Sequence, residues 1–227
     1  MQRKIIFSEG EYYHIYNRGT EKRVIFNDKV DYERFIFLLF YANSTKSFST
    51  RDLKKTRGPS SGNRGDSLVD IGAYCLMPNH FHFLLKEKIN GGISKFMSKI
   101  TTGYSMYFNK RYERKGSLFQ GLFQAQHADS DNYLKYLFSY IHLNPIKLIQ
   151  SDWKEKGVDD IYIAKKYLND YKYSSFVDYM GIKREENNIL NMKVFPEYFE
   201  SREDFENNIF DWLEFNPDLL RIDGVVS

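Results

Sequence analysis

The stretch CLMPNHFHFLL, residues 75–85, decides the fold. Two apolar runs, residues 71–77 and 80–86, flank a Pro-Asn pair, and this pattern predicts two antiparallel strands joined by a tight turn. Alternate side chains of a strand share one face, so His80 and His82 are expected to stand side by side, with the intervening phenylalanines turned into the core. The sequence therefore predicts a hairpin with a histidine pair on one face.

The chain on both sides of this hairpin extends it into a mixed fold. Capping residues, apolar periodicity and turn signals predict the following further elements: a strand at 12–18, helices at 31–42 and 93–112, a short strand at 123–127, and a helix at 131–143. The resulting order predicts an α+β fold with a ferredoxin-like, RRM-like antiparallel sheet and helices packed on it. Extra C-terminal helices are expected, including an acidic one at 201–220, and residues 171–175 are expected to dock on the body.

Charge is unevenly distributed along the 227 residues, although the net charge is only +3. Residues 183–227 carry 5 Lys and Arg against 11 Asp and Glu, whereas residues 1–182 carry 28 against 19, a net charge of +9. This predicts a basic domain at 1–182, with a basic loop at 43–67, and an acidic helical extension at 183–227. Basic charge beside abundant aromatic residues fits single-stranded nucleic acid, although core packing of the aromatics explains the composition as well.

Composition also excludes a disordered, collagenous or fibrous chain. The apolar fraction of 42% and charged fraction of 28% are those of a globular chain. The single cysteine, Cys75, cannot form an internal disulfide or a thiolate metal cluster. The longest apolar run, residues 35–42, is much shorter than a membrane span. We therefore expect a soluble protein in the cytoplasm without a membrane partner.

A helical pair provides further polar groups for the histidine strand. Tyr140 and Asn144 are four residues apart and should lie on one helix face. An Asn carbonyl beside His80 and His82 makes a mixed nitrogen and oxygen set that suits Mg²⁺ or Mn²⁺. A phenol next to such an ion is a potential nucleophile towards phosphorus. The alternatives are a polar stripe of histidines, a helix-capping Asn144 and a core Tyr140.

Other residues compete for these roles. Tyr104, Tyr107 and Tyr136 are alternative nucleophiles, although Tyr136 lacks an Asn four residues later. His14, on the first strand, could face the site, but a packed or solvent-facing position is favoured. His127 and His142 are interpreted in the same way.

Several segments together resemble one known family. They are residues 75–85, residues 13–19 (YHIYNRG), residues 107–112 and 116–121 (YFNKRY and GSLFQG), residues 140–145 (YIHLNP) and residues 173–175 (YSS). In this order they resemble the single-tyrosine transposases of the HUH nuclease superfamily, particularly the REP-associated tyrosine transposases of bacteria. The resemblance extends over roughly residues 12–181.

The resemblance implies a function and a site. It implies that His80, His82 and Asn144 hold a divalent metal ion and that Tyr140 attacks single-stranded or hairpin DNA, leaving a 5′-phosphotyrosine link and a free 3′-hydroxyl. No organic cofactor is implied. Such an enzyme would act in DNA transposition or in processing REP-type elements, as a monomer or a homodimer. The alternatives are a catalytically silent nucleic-acid-binding module of the same fold and a metal-dependent nuclease that uses water.

Overall fold

The computed structural model describes residues 5–46 and 65–214. Most of the basic loop at 43–67, and the last part of the helix predicted at 201–220, lie outside the described residues. The strands are β1 (Tyr12–Arg18), β2 (Val69–Met77), β3 (His80–Glu87) and β4 (Gln124–His127). The helices are α1 (Lys29–Tyr41), α2 (Gly92–Arg111), α3 (Asp131–Leu143), α4 (Trp153–Lys156), α5 (Ile161–Asp170), α6 (Phe176–Tyr179) and α7 (Arg202–Glu214).

The four strands form one sheet in the order β2-β3-β1-β4, and all neighbouring strands are antiparallel. The β1–β3 register places Tyr16 opposite His82 and Arg18 opposite His80. Sheet order and helix placement confirm the predicted α+β fold with a ferredoxin-like sheet. The predicted elements of the core all form, with ends that differ from the prediction by one or two residues.

The strand alternation divides the protein into two layers of different character. Tyr13, Ile15, Phe81 and Phe83 lie on one face and form the main core together with α1 and α2. The opposite face carries the other set of β1 and β3 side chains and is covered by α3. Both phenylalanines of β3 are fully buried, as predicted, so the histidines between them necessarily face α3.

Side-chain caps fix where the helices begin. The Asp28 carboxylate accepts hydrogen bonds from backbone N–H groups at the start of α1, and Ser130 does the same for α3. At the start of α2 the buried Glu87 carboxylate accepts from the N–H groups of Gly92 and Ile93, at 3.1 and 2.7 Å. Because Glu87 ends β3, this cap ties α2 directly to the central hairpin.

Residues 173–175 run along the outer side of β2. The Leu76 N–H donates to the Tyr173 carbonyl and the Ser175 N–H donates to the Tyr74 carbonyl, both at 2.9 Å. The predicted docking of residues 171–175 is thus confirmed, and the main chain of this segment covers the edge of the sheet.

The chain beyond residue 182 packs on the body. Arg184 bonds to Asp178 and to the Tyr74 hydroxyl, and the Asn191 N–H donates to the Ile71 carbonyl at 3.0 Å. Helix α7 then buries Phe205, Ile209, Phe210 and Leu213 against the helices that follow α3. The division into domains at residue 182 stays a prediction. None of the helices described is both long and apolar enough to cross a membrane.

Candidate functional site

The β2–β3 hairpin places the two predicted histidines next to each other. The ring centroids of His80 and His82 are 5.0 Å apart and the rings are perpendicular. His80 is half-buried, and its Nδ1 lies 2.6 Å from the Oδ1 of Asn79 in the turn. His82 is 6% exposed. Both imidazoles therefore belong to one partly enclosed cluster on the α3 side of the sheet.

A third histidine joins this cluster from β1. His14 Nε2 lies 2.9 Å from His82 Nδ1, and the two rings stack with centroids 5.1 Å apart. His14 is 1% exposed. His14 is therefore packed, as favoured from the sequence, and the β1–β3 register also brings it beside His82. His127 pairs with Glu11 and His142 contacts Ser175, so those two histidines do lie outside the cluster.

Helix α3 brings Tyr140 over the histidines. Its ring centroid is 5.4 Å from that of His82 and 5.6 Å from that of His14, in edge-to-face arrangements. Burial, with a smaller contribution from Tyr16, raises the pKa of Tyr140 to about 12, whereas the Asn144 amide acts in the opposite direction. The phenol is therefore protonated at neutral pH and must lose its proton during any attack.

Asn144 lies one turn after Tyr140, at the end of α3. Its Nδ2 donates to the Tyr140 backbone carbonyl at 2.7 Å, so the residue does close the helix. Its Oδ1, however, is buried without a hydrogen-bond partner. A buried carbonyl oxygen without a donor is unusual and is suited to a cation. Asn144 therefore combines the capping role with a free ligand atom.

The competing tyrosines are placed elsewhere. Tyr104 and Tyr107 lie on the opposite side of the sheet, where their hydroxyls donate to the Ile25 carbonyl at 2.5 Å and to Asp31 at 2.9 Å. Tyr136 is on the same side as Tyr140, but its ring packs against Trp212 of α7. Of the predicted nucleophiles, Tyr140 is thus the one whose ring contacts the histidine cluster.

Basic residues surround the cluster, and they were not identified from the sequence. The Nζ of Lys154, on α4, lies 4.2 Å from the centroid of the Tyr140 ring. The charges of Lys147 and Arg18 act on His80. The position of Arg18 on the same sheet face as His14 could have been inferred from strand alternation. The positions of the two lysines could not, because they follow Pro145 in a segment without clear periodicity. Tyr16, whose ring lies 5.8 Å from that of His82, was also missed.

These surroundings keep the histidines neutral. Burial, followed by nearby positive charge, lowers the pKa of His14 to about 3 and that of His80 to about 4. The pKa of His82 is lowered well below its usual value, mainly by burial. Neutral imidazole is the form that binds metal ions.

A metal site on these residues would need the Asn144 oxygen in addition to the histidines. The described residues contain no group of three or more His, Cys, Asp or Glu side chains able to hold a metal ion. Nδ1 of both His80 and His82 is engaged by neighbours, so their Nε2 atoms and the unpartnered Asn144 Oδ1 are available as ligands. The Nδ1 of His14 is likewise buried without a partner. Two imidazoles and an amide oxygen suit a divalent ion that also retains water.

The fold and the cluster define a class of protein in which two histidines on a ferredoxin-like sheet face a tyrosine on a helix. Residues 9–144 match the family model described as "Transposase IS200 like", which is more than half of the chain. The protein belongs to the IS200-like transposase family. Its structure is similar to that of a REP-associated tyrosine transposase bound to a REP hairpin, with 15% identity, 82% of this chain and 90% of the other covered, and a TM-score of 0.51. Comparison with curated proteins found no match.

Proposed function

We propose that the protein is a metal-dependent single-stranded DNA endonuclease and strand transferase that forms a 5′-phosphotyrosine intermediate through Tyr140. Its role would be DNA transposition or the processing of REP-type elements. The observation that carries the proposal is the position of the Tyr140 ring, 5.4 Å from His82 and on the same side of the sheet as the histidine pair. Membership of the transposase family supports it.

In the proposed site His80, His82 and Asn144 hold the divalent ion, Mg²⁺ or Mn²⁺. When bound, such an ion would polarise a phosphoryl oxygen and position the phosphate for in-line attack. The protein supplies the neutral imidazoles, and the bond between Asn79 and His80 fixes the orientation of one of them. The bond between His14 and His82 fixes the other.

The chemical step is a transesterification. The Tyr140 hydroxyl oxygen forms a bond to phosphorus as the bond from phosphorus to the 3′ oxygen breaks. The phenolic proton is lost and the departing 3′ oxygen gains one, so the products are a 5′-phosphotyrosine and a free 3′-hydroxyl. Since one phosphoester replaces another, the step needs no ATP and can run in reverse, which permits strand transfer.

The partner we propose is single-stranded or hairpin DNA. Residues 1–182 carry the net charge of +9, and Lys147 and Lys154 lie beside the site. Positive charge at this point would neutralise the phosphates of the strand that reaches Tyr140. The structurally similar transposase was solved with a hairpin bound, and this adds a hairpin to the proposed substrate.

Trapping of a covalent complex tests this function. The protein is incubated with labelled single-stranded DNA from the flanks of its own gene and Mn²⁺, and adducts that survive boiling in detergent are mapped by mass spectrometry. We expect an adduct at Tyr140 that is absent in Tyr140→Phe. Tyr136→Phe, one turn earlier on α3, is the matched control and should form the adduct.

The same experiment separates the alternatives. A water-using nuclease would cut the DNA without any adduct, and its activity would survive Tyr140→Phe. A silent binding module would retain the DNA in a mobility-shift assay without cutting it. Either result would overturn the proposed nucleophile.

A further inference from the structure

The charged side chain of Lys154 lies over the ring of Tyr140. Its Nζ lies 4.2 Å from the centroid of the Tyr140 ring. The residue before it, Trp153, is 2% exposed and is packed in the cluster that contains Leu143 and Ile146, at the end of α3. The buried indole anchors the short helix α4, and the anchor directs the next side chain towards the tyrosine.

Within residues 5–46 and 65–214, Lys154 has no acidic partner that explains this position. Among the described residues no carboxylate lies within 4.0 Å of its Nζ, and the nearby Asp152 pairs instead with Lys156. Burial and, to a smaller extent, the charge of Lys147 lower the pKa of Lys154 to about 7, whereas the charge of Glu155 acts more weakly in the opposite direction. A half-buried ammonium group without an anion is costly, so an anion is expected to approach it.

The charge of Lys154 also acts on the histidine cluster. It lowers the pKa of both His14 and His82, as expected for an ammonium group directed at the same enclosure. The side chain therefore lies near the proposed nucleophile and the proposed metal ligands at once. The phosphate of a bound strand would occupy this region during attack by Tyr140.

We propose that Lys154 is a further catalytic residue, whose ammonium group binds the scissile phosphate and balances the charge that develops as Tyr140 attacks. This inference rests on the proposed function. The negative charge of the bound phosphate favours the protonated form of Lys154, which contributes charge only. The bonds formed and broken are those of the transesterification, with the phenolic proton balanced by the proton gained at the 3′ oxygen. Electrostatic stabilisation of this kind is a major component of catalysis in enclosed sites.

A purely structural role is the competing explanation, in which the ammonium group only holds the Tyr140 ring by a cation–π contact. Substitutions of matched shape test whether the charge of Lys154 is needed, and the neutral substrate described below separates the two roles. Lys154→Met keeps the aliphatic stem without the charge, and Lys154→Arg keeps the charge. Lys165 is a matched control, because its Nζ lies 4.5 Å from the Phe210 ring, in a contact that does not involve Tyr140.

The test measures the single-turnover rate of adduct formation on the labelled flank DNA at saturating DNA concentration. We expect Lys154→Met to lower this rate by about 100-fold or more, as loss of one donor to a developing charge does elsewhere. Lys154→Arg should recover most of the rate, and Lys165→Met should match the parent. A Lys154→Met rate within about threefold of the parent, or a Lys154→Arg rate as low as that of Lys154→Met, would overturn the inference.

A neutral substrate provides a second readout. A methylphosphonate at the mapped cut position removes the negative charge of that phosphate. It should slow the parent strongly but slow Lys154→Met much less, because the two changes remove the same interaction. Independent, additive losses would overturn the inference. If neither the parent nor Lys165→Met forms an adduct, the proposed function fails instead, so the two failures are distinguishable.

Discussion

His14 and His82 lie on neighbouring antiparallel strands with Nε2 of the first 2.9 Å from Nδ1 of the second, and their rings are within 17° of parallel. One imidazole thereby fixes the rotation of the other. The nitrogen of His82 that remains available is Nε2. In the proposed metal site, His14 would orient His82 through the second ring nitrogen, as outer-shell partners orient metal-binding histidines.

Removal of this contact should weaken metal binding without disturbing the core. His14→Phe keeps an aromatic ring on β1 but loses the hydrogen bond to His82. We expect the Mn²⁺ concentration for half-maximal adduct formation to rise by about 10- to 100-fold. Tyr16→Phe, on the same face of the same strand, is the control and should keep the parental value. An unchanged Mn²⁺ dependence of His14→Phe would contradict the orienting role.

The proposed ligands should differ in importance. His80→Ala and His82→Ala each remove one of two imidazoles, so we expect adduct formation to fall by orders of magnitude while the thermal melt stays cooperative. Asn144→Ala should weaken Mn²⁺ binding yet leave a trace of adduct, because water can replace the amide oxygen. Excess EDTA should abolish the reaction of the parent. Full activity in EDTA would exclude a metal-dependent site.

Prediction from sequence succeeded where short-range periodicity determines position. Strand alternation placed His80 and His82 on one face, and helical spacing placed Tyr140 and Asn144 one turn apart. The contact between His14 and His82 depends on the β1–β3 register, which no local pattern specifies.

The position of Lys154 was beyond prediction for a similar reason. It lies on a helix of four residues, next to the buried Trp153, and its Nζ lies 4.2 Å from the centroid of the Tyr140 ring. So short a helix carries no periodic signal, and its packing depends on residues far along the chain. Contacts between distant segments therefore decide the part of the site that the sequence did not reveal.

The basic loop is expected to contribute to DNA affinity and not to the fold. Its stems are fixed by Asn43, whose Oδ1 accepts from the Leu68 and Val69 N–H groups at 2.8 and 3.0 Å, and by the Thr45–Asp66 backbone bond. Replacement of residues 47–64 by a short Gly-Ser linker should therefore preserve the thermal melt.

The DNA affinity of this loop variant should depend less steeply on salt. Each lost phosphate contact lowers the slope by about 0.7 on single strands. Binding measured at several salt concentrations tests this, with adduct formation at low salt expected to persist. A slope equal to that of the parent would show that the loop makes no phosphate contacts.

Arg184 is expected to contribute strongly to stability. Its Nε lies 2.9 Å from the fully buried carboxylate of Asp178, and its Nη2 lies 2.9 Å from the Tyr74 hydroxyl. Arg184→Met leaves that carboxylate without its cation, and we expect the free energy of unfolding to fall by about 3–5 kcal/mol in urea denaturation. Adding Asp178→Asn should recover part of the loss. A double variant less stable than the single one would contradict a charge-based explanation.

Acidification should destabilise the protein through its buried histidines. Burial lowers the pKa of His142 to about 3, so between that pH and about 6.5 the unfolded chain binds a proton that the folded one excludes. Stability is therefore complete above pH 6.5 and falls below it, by about 2 kcal/mol per such histidine at pH 5.

Thermal melts at pH 7 and pH 5 check this expectation. His142→Gln should show a smaller drop between the two pH values than the parent, although His14, His80 and His82 add to the effect in the same direction. If His142→Gln and the parent lost equal stability between pH 7 and pH 5, His142 would not be a source of the acid sensitivity.

The main chain of residues 173–175 along β2 has a consequence for behaviour in concentrated solution. An outer strand with unpaired peptide groups can recruit a strand from another molecule, which is a common route to aggregation. Here the bonds from Leu76 to Tyr173 and from Ser175 to Tyr74 occupy that edge, and β4, at the other edge, has only four residues, Gln124–His127. Strand exchange between molecules is therefore disfavoured as long as this segment stays docked, and loosening it would turn the edge of β2 into a site of self-association.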